Sequence, residues 1–163
     1  MKTLQAIVFF LVFSLIFASC SEENIDTDLY DTISLIVPEN KVIEIEILAL
    51  INQYRVDKGL SSLGQMNVIK AQAYTHTDYM ITQAVPSHDN FFKRSEYLKK
   101  HSVVKRVSEN VAYGFSSAKN LVNALVKSED HKKNMEGDYT HFQISAEQNE
   151  NGKWYFTNMF IKK

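Results

Sequence analysis

The 163-residue chain has 18 basic and 19 acidic side chains, a formal net charge of −1 and one cysteine. That balance leaves no basic surplus for counting phosphates and argues against nucleic acid as a partner. A lone cysteine allows no disulfide within the chain, so packing alone must hold the roughly 120 residues that follow the N-terminal segments, enough for one domain.

Residues 1–19 read as an export signal. Lys2 provides a positive start, and Leu4 to Phe17 is an apolar run interrupted only by Gln5 and Ser14. This run is shorter than the ~20 residues of a membrane span and has the length of a signal core. Small residues Ala18 and Ser19 then lead to Cys20. The order Phe17-Ala18-Ser19-Cys20 resembles the bacterial lipobox, in which the cysteine is acylated, although Phe17 stands where a smaller aliphatic residue is usual. The resemblance implies a lipoprotein held in a membrane by acyl chains on Cys20, in the periplasm or at the cell surface; more than one chain makes such an anchor stable. Residues 20–41 read as a polar, acidic tether closed near Pro38.

Residues 42–163 carry the periodic patterns. Ile43, Ile47, Leu50, Ile51 and Tyr54 make one helical stripe, ended by Gly59. A second helix is predicted from Asn67, as its cap, to before Pro86, with Ile69, Ala73, His76 and Met80 on one side. A shorter helix is expected over 93–101. Ser116 or Ser117 is expected to cap a further helix running through Ser128, with Leu121, Ala124, Leu125 and Ser128 on a shared face. Short strands are predicted at 103–107 and 110–113. Phe142, Ile144 and Ala146 alternate with polar residues as in a half-buried strand, Asn151-Gly152 marks a turn, and Trp154 to Ile161 is a second strand whose aromatic residues read as core. Helices followed by an antiparallel hairpin indicate an α+β domain.

Four segments then fall in a telling order: Asn52-Gln53-Tyr54-Arg55 with Gly59-Leu60 and Leu63; Ser87-His88 with Phe91 and Arg94; Glu109-Asn110-Val111-Ala112-Tyr113-Gly114; and Ser128-Glu129-Asp130-His131-Lys132-Lys133-Asn134-Met135, followed by Tyr139-Thr140-His141-Phe142. As a set they resemble the CAP superfamily, which takes in cysteine-rich secretory proteins, antigen 5 and plant pathogenesis-related proteins, in its bacterial SCP-like form. The resemblance implies a three-layer α-β-α sandwich with a small antiparallel sheet and a central cleft. Carried over by position, His88, Glu109, Ser128 and His131 would line that cleft. Ser108, Leu125 and Asp130 depart from the usual glycine, tryptophan and glycine, and Phe142-Gln143-Ile144 lacks a usual glycine.

Two imidazoles and a carboxylate are the residue types that hold Zn²⁺ or another divalent metal with one position open, so His88, His131 and Glu109 are the candidate metal ligands. Ser128, His131 and Glu109 contain the residue types of a hydrolytic triad, but no Gly-x-Ser-x-Gly elbow accompanies them. The leading reading is a non-catalytic binding module for a metal ion or a small-molecule, lipid-like or peptide ligand. Two alternatives stay open: a metal-assisted hydrolase of peptidase or esterase type using His88, Glu109, His131 and Ser128, and a structural or adhesive surface protein. His76 reads as a core or cleft-edge residue, His101 as solvated, and His141 as pointing away from the apolar strand face. The basic residues Lys99, Lys100, Lys105 and Arg106 read as a solvated face.

Overall fold

The computed structural model describes residues 36–163. The export signal, Cys20 and most of the tether lie outside them. Five helices and three strands follow in the order α1 (Val42–Asp57), α2 (Asn67–Gln83), α3 (Phe91–His101), β1 (Arg106–Tyr113), α4 (Ala118–Lys127), α5 (Glu129–Met135), β2 (His141–Gln148) and β3 (Trp154–Lys162). No described helix is long and apolar enough to cross a membrane.

The strands form one antiparallel sheet in the order β1-β3-β2, with the hairpin strand β3 in the middle. Side chains alternate across it. Phe142, Ile144, Ala146, Phe156 and Phe160 face a core shared with Ile47, Leu48 and Ile51 of α1, Leu121 and Leu125 of α4, and Met135 of α5. On the reverse face, Met159 and Ile161 pack with Ile69 and Ala73 of α2 and Leu98 of α3. The result is the α-β-α sandwich that the resemblance implied. β2 is therefore covered on both sides, and Gln143 and Ser145, expected to face water, are 3% and 0% exposed.

Local departures from the sequence reading have identifiable causes. The inward stripe of α1 is Glu44, Ile47, Leu48, Ile51 and Arg55, while Leu50 is on the exposed flank. The two charged members hid the true direction of the face. α2 begins one residue earlier than expected: Met66, which makes no side-chain capping hydrogen bond, is the cap residue, and Asn67 is already in the helix. Ser117 does cap α4, its Oγ accepting from the Asn120 N–H at 3.3 Å. The two short strand candidates are one strand, β1, and Val103 lies outside it, exposed.

The first motif closes one end of the fold. The Asn52 side chain exchanges two hydrogen bonds with the Leu63 backbone, at 3.1 and 2.8 Å. Buried Arg55 donates to the carbonyls of Ser61, Met135 and Gly137. Gly59 turns the chain at φ +73° between them. Asn52 thereby ties the α1–α2 loop back to α1, and Arg55 holds it against the end of α5.

The free edge of β2 is sealed in two stages. Gly64 pairs with it in parallel, its N–H donating to the Thr140 carbonyl and its carbonyl accepting from the Phe142 N–H, each at 2.9 Å. A Cβ at Gly64 would come within 2.9 Å of the His141 ring, so a larger residue here would have to displace that ring. Further along, Lys70 Nζ donates to the Ile144 carbonyl at 2.9 Å, and Glu44 Oε1 accepts from the Ala146 N–H at 2.7 Å. Lys70 and Glu44 are themselves ion-paired at 2.6 Å with both side chains buried. An edge strand offers unpaired N–H and C=O groups; here a buried charge pair takes the place of the missing neighbour.

Candidate functional site

The other edge strand, β1, carries Glu109 at its centre, on the face covered by α2 and α3. Its carboxylate is buried and fully engaged. Arg94 Nε donates to Oε2 at 2.8 Å and Arg94 Nη2 to Oε1 at 2.8 Å, while His88 Nδ1 lies 2.9 Å from Oε1. An ionised carboxylate only accepts, so His88 donates from Nδ1 and leaves Nε2 open. Arg94 spends its remaining nitrogen on the Asp89 carbonyl, 2.7 Å away. The loop that delivers His88 is bracketed by two left-handed residues, Ala84 at φ 55° and Asn90 at φ 58°. Asparagine tolerates that conformation better than alanine does. The first of these turns ends α2 and the second starts α3, so the loop between them folds over Glu109.

His76 completes this side. It is 2% exposed, with Nε2 2.7 Å from the Ser87 carbonyl and 3.9 Å from Glu109 Oε1. Since Nε2 must donate to the carbonyl, Nδ1 is the unprotonated nitrogen, and it has no partner among the described residues. Burial, then the Arg94 charge, holds His76 below its ordinary pKa of 6.5, so it is neutral.

His131 arrives from the opposite layer, on α5. The α4 helix does not run through Ser128. It stops at Lys127, and Ser128, with φ −88° and ψ 119°, is the junction from which α5 starts. Ser128 and His131 therefore do not share one continuous helix. The signal was present: serine followed by Glu129 and Asp130 is a helix-start pattern, with acidic residues at the positive end of the dipole. Asparagines then fasten α5 to β1. Asn110 Nδ2 donates to the His131 carbonyl at 3.0 Å, and Asn134 Nδ2 bonds to Asn110 Oδ1 at 2.7 Å and to the Glu109 carbonyl at 3.2 Å. The imidazole of His131 is half-buried, and burial first, then electrostatic repulsion from His88, depresses its pKa.

The carboxylate's own ionisation follows from this company. Burial would raise the pKa of Glu109, but the His88 hydrogen bond and the Arg94 charge outweigh it and hold the carboxyl below its usual range. Glu109 is thus a fixed anion already matched by a cation. As arranged, His88, His131 and Glu109 do not fit a divalent metal. No three His, Cys, Asp or Glu side chains among the described residues gather to hold one, and both Glu109 oxygens already accept from N–H donors. The Ser128-His131-Glu109 triad is also not assembled: among the described residues Glu109 is hydrogen-bonded to His88, and no bond joins it to His131 or Ser128. Three residues to which the sequence reading assigns no role, Arg94, Asn110 and Asn134, shape the site. Their positions inside the motifs were the available signal.

The sequence profile of the cysteine-rich secretory protein family, CAP, matches residues 48–160. The chain belongs to this family. No curated protein sequence matches the chain, but solved structures do. An outer surface protein from Borrelia burgdorferi superposes with a TM-score of 0.64 at 18% identity, over 72% of this chain and 90% of that one. A cysteine-rich secretory protein from Staphylococcus aureus gives 0.63 at 21% identity, over 78% of this chain and 41% of that one. An extracellular protein containing an SCP domain from Bacillus anthracis gives 0.65 at 22%, over 74% and 40%. At such identities the likeness is one of fold. The chain spans nearly all of the Borrelia protein but about two-fifths of the other two. What the CAP domain of this chain does is therefore to be argued from its own residues.

Proposed function

We propose that this is an exported protein, anchored through lipid on Cys20, whose CAP cleft binds a small polar, lipid-like or peptide ligand without turning it over. The saturation of Glu109 carries this reading. With both its oxygens committed to Arg94 and His88, the carboxylate positions rather than reacts, and the groups left to meet a ligand are the outward nitrogens of His88 and His131. His88 has a side chain 54% exposed, open to whatever enters. Export is supported by the apolar leader ahead of Cys20 and by neighbours described as outer-surface, secretory and extracellular.

Two measurements test it. Cys20→Ala is expected to move the protein from the membrane fraction to the soluble fraction, and continued tight membrane association removes the anchor. In the imidazole NMR spectrum, addition of acetyl-dialanine or laurate in turn is expected to shift His88 and His131 together with at least one probe. Silence towards both, or an affinity for the probe unchanged in His88→Ala/His131→Ala, sinks the binding cleft.

A second reading has one observation in its favour. A histidine oriented by a buried carboxylate through Nδ1, with Nε2 free, is the base-and-orienter half of a hydrolytic site. Turnover of a peptide and ester panel that vanishes in His88→Ala would establish it over simple binding.

A further inference from the structure

The two edges of the sheet are finished differently. The Gly114 N–H donates to the Trp154 carbonyl at 2.8 Å, one step beyond the Tyr113–Tyr155 pair. Bonded and non-bonded pairs alternate along an antiparallel ladder, so Ser108, Asn110 and Ala112 bond inward to β3. Val107, Glu109, Val111 and Tyr113 turn their N–H and C=O groups outward. The same alternation, carried across β3, turns Phe142, Ile144 and Ala146 of β2 outward. Those are the residues that Gly64, Lys70 and Glu44 seal.

On β1 the seal is partial. Asn134 takes the Glu109 carbonyl, but among the described residues nothing bonds to the outward N–H and C=O of Val111 or Tyr113. Val111 is half-buried and Tyr113 is 44% exposed. A Cβ added at Gly114 would meet nothing within 4 Å, so the end of this stretch is open. Val107 also faces outward, but buried Glu109 and Asn110 separate it from the open pair. The open stretch begins two residues after Glu109, the carboxylate to which His88 is bonded.

We propose that the ligand of this site is an extended peptide, which adds along Val111–Tyr113 as a fourth strand of the sheet. The proposal rests on the reading of the cleft as a binding site and names what it takes. Two free N–H groups and two free C=O groups, spaced along one strand edge, match the backbone of another strand and give it four hydrogen bonds. Residues opposite one another share a face of the sheet. The peptide side chain opposite Tyr113 therefore meets a half-exposed ring whose centre lies 5.5 Å from that of Tyr155, which favours an apolar or aromatic residue there. An acyl chain lying on this edge would leave all four backbone groups without partners. A second copy paired through the same two residues gains a ladder too short for the ~800 Å² per partner of a stable interface. The chain enters α1 beside the opposite edge, where the Lys41 side chain meets Glu147 of β2, so the tether is not the occupant.

The purified full chain, in detergent, is titrated with acetyl-Val-Thr-Val-Thr-amide and with laurate while backbone and imidazole NMR signals are followed. The peptide is expected to shift the Val111 and Tyr113 amide signals and slow their hydrogen exchange. Alternate amides of a strand face the same edge, so a peptide N-methylated at every second amide should keep its affinity. One methylated at two consecutive central amides should lose about tenfold. Val111→Pro removes one outward N–H and no ladder bond, a place where an edge strand tolerates proline, and should also weaken binding about tenfold with little change in the midpoint of thermal unfolding. If that variant does not fold, the two methylated peptides decide on the parent protein. A peptide that shifts His88 and His131 but leaves both amides unprotected, equal affinity for the two methylated peptides, or binding of laurate alone overturns the added strand and leaves the cleft standing. No response to any probe removes both. Protection of the two amides that grows with protein concentration alone, without peptide, overturns the proposal in favour of a second copy.

Discussion

Lys70→Met is expected to destabilise the domain by about 3–5 kcal/mol, because it leaves Glu44 as a buried charge without its partner. The less obvious expectation concerns the double variant Glu44→Leu/Lys70→Leu. Replacing a buried ion pair by apolar side chains is often neutral or stabilising. Here it should not be. Lys70 and Glu44 also satisfy the Ile144 carbonyl and the Ala146 N–H on the edge of β2, and leucines would orphan both. Each unsatisfied buried backbone group costs about 1–3 kcal/mol. Burial depresses the pKa of Lys70, opposed by its hydrogen bond and attraction to Glu44. Urea unfolding of the parent, both single variants and the double variant closes the cycle. Parental stability in the double variant would show that the pair serves only itself.

Arg94→Met should have an effect of similar size at pH 7, about 3–5 kcal/mol, since it removes two of the three hydrogen bonds to a buried carboxylate. Its pH dependence is the sharper signature. In the parent, the folded pKa of Glu109 is held below the ordinary 4.5. The stability this confers is complete above 4.5 and is lost as pH falls through the folded value. Without the guanidinium, burial raises the pKa instead, and acid relieves the variant by protonating Glu109. The stability gap between parent and variant should therefore narrow from pH 7 towards pH 4. His76 and His131, both depressed below 6.5 largely by burial, give each protein a separate loss of stability as pH falls below 6.5. Unfolding curves across this range check the prediction, and a gap independent of pH would mean that Arg94 acts by packing alone.

The segments that hold His88 and Glu109 were legible as motifs, and those two side chains bond to one another across twenty-one residues of sequence. The metal and triad readings meet an obstacle that sequence could not weigh. They counted His and Glu as ligands or catalysts, while Arg94, fifteen residues before Glu109, had already taken both carboxylate oxygens. Ser128 misled for a different reason: the apolar period of α4 runs smoothly up to Val126 and outweighed the helix-start pattern of Ser128-Glu129-Asp130.

Taken by itself, the sequence determined the order of helices and strands, apart from α5 and the merging of two strand candidates into β1, together with the antiparallel hairpin and the family likeness, because these depend on local period, turn residues and short motifs. Tertiary structure alone decided the inward face of α1, the sealing of β2 by Glu44 and Lys70, and the fastening of α5 to β1 through Asn110 and Asn134. Those features are set by which distant charges and hydrogen-bonding groups find one another once water is excluded, and a buried Lys70 reads in sequence like any solvated lysine.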